Sequence, residues 1–449
     1  MCGTLGACRR QPEAVQLTDQ RGPMWLVLED GSAYQGVRLG TETEATGEVV
    51  FNTSMTGYQE MLTDPSYGGQ ILMPTYPMIG NYGVNPADVE SRQVQVRGFV
   101  VRDDCDAPSH QLSEGTVHDY LLRNGVPGVS GVDTRAITRK LRSGGVMMGI
   151  ITPREDTASA LEVLKAAPRY GQFDVVHGVS TPSSFHWDGD VGERSRAYYD
   201  LRRRAMDPRA HWSDGEAALS EAMPGPDSTS AAGRGARQAS GTASANGAAG
   251  PRIVVSDYGV KLNILRSLRA RGCDVTVVPD DATANDIMAL APDGVLLSPG
   301  PGDPVFLKAA VESAKELIGQ APLMGICLGH QVVARALGAD TFKLHFGHRG
   351  GNQPVKDLES GRVYVTAQNH GYAVNAEGLP DKLRVTHINL NDGTVEGLRH
   401  VELPVMTIQY HSEASPGPHD SEYLFDRFVE MVRREAAMPA GSKLSSRNA

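Results

Sequence analysis

The sequence predicts an α/β protein in two parts: an N-terminal mixed β/α domain, then a parallel sheet covered by helices on both faces. Three observations carry this. From Trp25 the chain runs in short apolar stretches broken by Asp-Gly and Gly, as in "WLVLEDGSAYQGVRLG", the pattern of strands and hairpins. After residue 250 short apolar runs alternate with longer amphipathic ones, the rhythm of strand–helix–strand units. Between the two, 211–250 loses all periodicity and fills with Ala, Gly and Ser. Such a segment cannot bury enough apolar surface to offset its ordering entropy, so it reads as a flexible linker or insertion.

Taken in order, residues 1–23 are expected to be a disordered extension, 24–195 the first domain, 196–250 the linker or low-complexity insertion, 251–437 the second domain and 438–449 a tail. A chain of 449 residues exceeds what one core organises, which agrees with two domains. In the first domain "VDTRAITRKLRSGG" is a helix capped by Asp133 and closed by Gly144. In the second, "RIVVSDYG" is a strand, "KLNILRSLRARG" a helix, and "DVTVVP", "DGVLLSPG" and "PLMGI" further strands. "GHQVVARALG" is a helix ending at Gly338, and "VMTIQY" a late strand. In such sheets ligands bind beyond the carboxyl ends of the strands. Both "SPGPGDP" and "GICLGHQ" fall there.

Composition excludes several classes. A formal net charge of -10 argues against a duplex nucleic-acid binder, which needs a basic stripe to displace counterions from phosphate. Five scattered cysteines (Cys2, Cys8, Cys105, Cys273, Cys327) have neither disulfide-framework nor metal-ligand spacing, so no metal site is expected and a reducing, cytoplasmic setting fits. No run approaches the roughly 18 apolar residues of a membrane span. The opening residues lack a signal-peptide apolar core, and their acidic residues argue against an organelle address.

The chemistry concentrates around Cys327. It falls on a tight turn between an apolar strand and a helix, where exposed N–H groups and the helix dipole favour thiolate. An inert buried thiol would fit the same residue taken alone. Near the C-terminus "QYHSEAS" supplies His411 and, two residues on, Glu413. If this strand ends beside the turn, His411 can take the thiol proton and return it to a leaving amine while Glu413 orients the imidazole. By itself His-x-Glu fits a solvated loop equally well. "SPGPGDP" is a plain turn or a source of unobstructed N–H donors, in which case Gly302 and Leu328 would together form an oxyanion hole.

"GICLGHQ", "SPGPGDP" and "QYHSEAS" together resemble the class I, triad-type glutamine amidotransferases. That resemblance implies a flavodoxin-like glutaminase fold for the second domain. Three further stretches, "GEVVFNTSMTGYQEMLTDPSY", "DYGVKLNILR" and "FGHRGGNQPVKD" followed by "TAQNHGYAV", are similar to the small, glutaminase subunit of carbamoyl-phosphate synthase, from Met24 to about Ala436. The resemblance implies that Cys327 is the nucleophile, His411 the base and Glu413 its orienting carboxylate. It surrounds L-glutamine with Ser66, Gly300, Gly302, Leu328, Gln331, Asn369, Gly371 and Tyr372. Ser66 comes from the first domain, so the pocket should lie at the seam between the domains. The sequence departs from the family at Ser412, where Pro is usual, and at Tyr410, where Gly or Phe is common. With no Gly-Lys dipeptide there is no P-loop, and no cofactor is expected in this chain. ATP with magnesium would serve a separate large subunit, which takes the ammonia through an internal tunnel and makes carbamoyl phosphate from bicarbonate for arginine and pyrimidine synthesis. Glutaminases for anthranilate, aminodeoxychorismate or guanylate synthesis lack the first-domain motif, and a catalytically silent partner would not need the triad.

Overall fold

The computed structural model describes residues 21–172, 174–189 and 250–439. The expected extension, linker and tail lie outside the described residues, apart from 21–23, 250 and 438–439.

Seven strands of the first domain close into a barrel: β1 (Pro23–Leu28), β2 (Ala33–Gly40), β3 (Ala45–Asn52), β4 (Gln70–Pro74), β6 (Gly98–Val100), β8 (Pro127–Ser130) and β9 (Met147–Thr152). Two dipeptide strands, β5 (Met78–Ile79) and β7 (Asp103–Asp104), pair separately. Closure follows from β9 pairing antiparallel with both β1 and β3, and it leaves no sheet edge open. Alternation sets the packing. Val49, Phe51, Ile71 and Met73 point into one cluster with Met24, Leu26 and Val129, while Val50 and Leu72 point into another with Phe99 and Leu121. Ile137 and Leu141, one turn apart on the helix Thr134–Gly144, seal the first cluster.

That helix starts where the sequence places it, with the Asp133 side chain accepting from the Ala136 N–H at 3.0 Å. It ends one residue later than expected. Gly145, not Gly144, turns to positive φ and so stops the helix.

The second domain is built on ten strands: β10 (Phe185–His186), β11 (Arg252–Ser256), β12 (Asp274–Val278), β13 (Gly294–Leu297), β14 (Leu323–Ile326), β15 (Thr341–Asp357), β16 (Val363–Val374), β17 (Leu383–Asn389), β18 (Val395–His400) and β19 (Val405–Ile408), in the order β10-β12-β11-β13-β14-β19-β18-β17-β15-β16. The expected parallel sheet is its heart, β12, β11, β13, β14 and β19. The rest is antiparallel, because β15 to β18 follow one another through turns without crossover helices. Residues 185–186, within the range expected for the first domain, pair as an edge strand on β12.

The central strands are buried on both sides, which explains their uninterrupted apolar sequences. Val295, Leu297 and Leu323 face the helices Lys308–Leu317 and Leu328–Ala336, while Leu296, Met324 and Ile326 face Leu262–Ala270 and Tyr423–Ala437. Tyr410, the bulky departure before His411, is fully enclosed in the second of these layers with its ring edge-on to His387 at 6.0 Å. Among the described residues no helix is long and apolar enough to cross a membrane.

The Asp133 cap gives a direct test of the helix boundary. Asp133→Ala should lower unfolding free energy by about 0.5–2 kcal/mol in urea titrations, and Asp133→Asn should lower it by less. Equal losses in the two variants would show that the side-chain acceptor is not what starts the helix.

Candidate active site

Cys327 follows the last residue of β14 and precedes the helix Leu328–Ala336, at φ 53° and ψ −105°. A side-chain-bearing residue reaches positive φ only at a cost of about 1–3 kcal/mol, and the surrounding structure must impose it. Here the Cys327 N–H is tied to Ile408 O at 2.8 Å, and its carbonyl accepts the first helical bond from Gln331. Gly329 is required beside it: a Cβ there would stand 2.1 Å from Leu297 O. The thiol is 2% exposed, and Sγ faces the backbone carbonyl of Asn369 at 3.7 Å.

Sheet register delivers the histidine. β19 pairs with β14 so that Ile408 lies opposite Ile326, and three residues on His411 docks on Ala367 through a 2.9 Å N–H···O bond. Its Nδ1 is 2.6 Å from Glu413 Oε1, and its other polar neighbour is the Cys327 thiol. Burial works against the imidazolium, but Glu413 and Cys327 outweigh it and hold His411 up at about 10. Burial likewise works against the Glu413 carboxylate, which Lys261 and His411 pull down to about 2. His330, in the same motif as Cys327, is different. It bonds Thr407 Oγ1 at 2.8 Å, and burial drops it to about 3, so it is a neutral structural group.

A narrow pocket opens on Cys327. Ser66, Gly300, Gly302, Leu328, Gln331, Asn369, Gly371 and Tyr372 all line it, so the structure brings together all eight residues and the thiol. Ser66 is 5% exposed, and its hydroxyl has no hydrogen-bond partner. It is not the cap of its own turn; Asp64 is, accepting from the Ser66 N–H at 2.9 Å. Gln331 Nε2 is taken by Tyr372 O at 2.8 Å and Gln409 Oε1 at 3.0 Å, which leaves its carbonyl oxygen suited to an ammonium. Asn369 gives its amide N–H to Asp64 Oδ2 at 2.9 Å, so Asn369 is held from the first domain.

One expectation changes. The Gly302 N–H, expected to serve the oxyanion, donates instead to Tyr170 Oη at 2.8 Å. The Leu328 N–H, as the first of its helix, has no intrahelical acceptor, and Gly300, on the same loop as Gly302, lines the pocket with it.

Sequence reasoning also missed the groups behind the triad. Lys261 is 2% exposed, with Nζ 3.3 Å from Glu413 Oε1 and a bond to Ala414 O. Glu90, from the first domain, accepts from the Asn263 N–H at 3.0 Å and pairs with Arg266. Burial raises Glu90 to about 7 against the pull of Lys261 and Arg266. The lysine in "DYGVKLNILR" was the available signal, since a lysine inside an apolar amphipathic stretch needs a partner. Among the described residues, His348, His370 and Glu396 form the cluster nearest to a metal-ligand set. Most of their candidate ligand atoms are already engaged, by Asp392, Tyr372 O, Gln368 and Asn389.

Two families match this chain: carbamoyl-phosphate synthase small chain, CPSase domain, over residues 26–151, and class-I glutamine amidotransferase over residues 254–431. Relatives described as carbamoyl phosphate synthase small chain include one from Rhodopirellula baltica, 46% identical over 416 residues, covering 92% of this chain and 97% of that protein. Another, from Symbiobacterium thermophilum, is 47% identical over 411 residues and covers 91% and 98%. A third, from Methanopyrus kandleri, is 45% identical over 414 residues, again covering 91% and 98%.

The shifted pair defines a pH window. Glu413 contributes stability above its ordinary 4.5 and loses it as pH falls through about 2; His411 contributes fully below 6.5 and loses it as pH rises through about 10. The melting-temperature difference between wild type and His411→Asn should therefore be largest between pH 4.5 and 6.5 and shrink toward pH 10. A difference that stays constant across that upper range would show that His411 is not held as the cation.

Proposed function

The chain belongs to the family of carbamoyl-phosphate synthase small chains, and we propose on that footing that it is the glutaminase subunit of such a synthase. Cys327 attacks the side-chain carboxamide carbon of glutamine with the thiol proton already held on His411. The developing oxyanion meets the N–H groups of Leu328 and Gly300. Collapse breaks the C–N bond, with His411 returning the proton so that ammonia leaves and a γ-glutamyl thioester remains. His411 then takes a proton from water, the hydroxide attacks the thioester, and glutamate departs as the thiol is restored. Glu413 stays ionised throughout and fixes the imidazole.

The observation that carries this reading is the pocket itself: a thiol at the N-terminus of a helix and a first-domain hydroxyl line one small space, and a carboxylate-held histidine is coupled to that thiol. Partner chemistry follows from the family. A large chain would use ATP, with magnesium, and bicarbonate to turn the ammonia into carbamoyl phosphate, the precursor that arginine and pyrimidine synthesis share. Free ammonia protonates in bulk water and stops being a nucleophile, which favours an internal passage. A second narrow space that shares Asn369 with the pocket and is lined by Asn52, Asp64, Lys261 and His411 supports one.

Two variants test the reading. Cys327→Ser should abolish glutamine-dependent synthesis by the assembled synthase and leave ammonia-dependent synthesis intact; appreciable glutamine hydrolysis by that variant would remove Cys327 from the reaction. Ser66→Ala should raise KM for glutamine by roughly tenfold, the value of about one hydrogen bond to a charged group, with kcat little changed. An unaltered KM would remove the Ser66 hydroxyl from glutamine binding.

A further inference from the structure

Tyr170 stands where two spaces meet. It lines the pocket with Cys327, Gly300 and Gln331, and it also lines an open groove on the first domain beside Gly68 and Val175. Its hydroxyl accepts the Gly302 N–H at 2.8 Å. Gly302 sits at φ 95°, a conformation that a residue with a side chain rarely adopts. The loop Ser298–Asp303 therefore takes a shape that calls for glycine at the point where a first-domain side chain bonds it.

The ring that carries this hydroxyl is fixed. It packs on the first-domain cluster of Val27, Met148, Ile150 and Leu164, and its own N–H lies 3.5 Å from Met148 Sδ. Arg169, the preceding residue, pairs with Glu29 at 2.7 Å. Gly69 lets the ring in; a Cβ there would lie 3.0 Å from it. Burial, reinforced by the Glu48 carboxylate, raises the phenol above its ordinary pKa, so the hydroxyl keeps its proton and stays a neutral acceptor.

We propose that Tyr170 is a positioning residue of the glutamine pocket: a first-domain hydroxyl that fixes the Gly302 peptide and, through it, sets Gly300 beside Cys327. The inference rests on the glutaminase reading above. It assigns the first domain a part in the chemical step, through the loop that faces the oxyanion, besides its part in binding through Ser66. A misplaced donor loop weakens transition-state stabilisation more than ground-state binding, so the effect belongs in kcat.

The test is Tyr170→Phe in the full chain, assayed for glutamine hydrolysis alone and with its large chain. The expected result is a fall in kcat of roughly tenfold, a smaller change in KM, an unchanged rate of Cys327 alkylation by iodoacetamide, and unchanged ammonia-dependent synthesis. A kcat within twofold of wild type would overturn the proposal. So would alkylation slowed as much as hydrolysis, since the hydroxyl would then be acting on the thiol. A lowered KM would overturn it too, because the hydroxyl would be competing with substrate for the Gly302 N–H. Failure of the wild-type chain to hydrolyse glutamine would fell the glutaminase reading instead, and it would be evident before any variant is compared.

Discussion

An ammonium group with almost no access to water governs the second domain's chemistry. Lys261 is buried between Glu413, Glu90 and the carbonyl of Ala414. Burial alone would neutralise it, but Glu413 and Glu90 outweigh that and keep its pKa above the ordinary lysine value. The lysine then keeps Glu413 ionised where water cannot, and the ionised Glu413 keeps His411 protonated opposite the thiol. Removing one partner from such a buried set typically costs about 3–5 kcal/mol, because the remaining charge is stranded. The site's electrostatics are therefore a chain of dependences that begins two residues beyond a glycine turn and ends at Cys327.

That chain crosses the domain seam. Glu90, which helps hold Lys261, belongs to the first domain, as do Asp64, which holds Asn369, and Ser66 and Tyr170, which line the pocket. The seam is itself stitched by backbone and side chain. Thr53 N–H bonds Arg349 O at 3.1 Å, Thr53 Oγ1 bonds Asn352 at 2.9 Å, and Lys343 pairs with Glu48 at 2.7 Å. The last of these is partly exposed and contributes little. The buried Asn369–Asp64 hydrogen bond matters more, since breaking it would leave polar groups unpaired. A glutaminase domain separated from its barrel would keep its sheet but lose one wall of its pocket.

Much of the second domain was legible because its strands are buried on both faces. "GVLL" and "LMGI" have uninterrupted apolar character, and the helices between them have their own period. The antiparallel half was harder. β15 and β16 carry Lys, Arg, Asn and Gln among their apolar residues, because their side chains serve the seam and the site as well as a core. Barrel closure was likewise unreadable, since it depends on β9 returning between β1 and β3, a pairing of residues about 100 to 130 positions apart.

By itself the sequence determined which side chains could do chemistry. A thiol between strand and helix, a histidine two residues before a glutamate, and a glycine-rich strand end are local patterns, and local geometry follows from them. Only the tertiary structure decided which atoms remain free to act. Gly302 has an N–H in either description, but its partner is Tyr170, 132 residues earlier. Asn369 and Gln331 carry amides that suit a substrate, yet their N–H groups are committed to Asp64, Tyr372 and Gln409. The Ser66 hydroxyl is the reverse case, a group that a turn might have consumed and that Asp64 leaves unpaired. A hydrogen bond is exhausted by whichever partner arrives, and residues distant in sequence arrive through packing that no local pattern encodes.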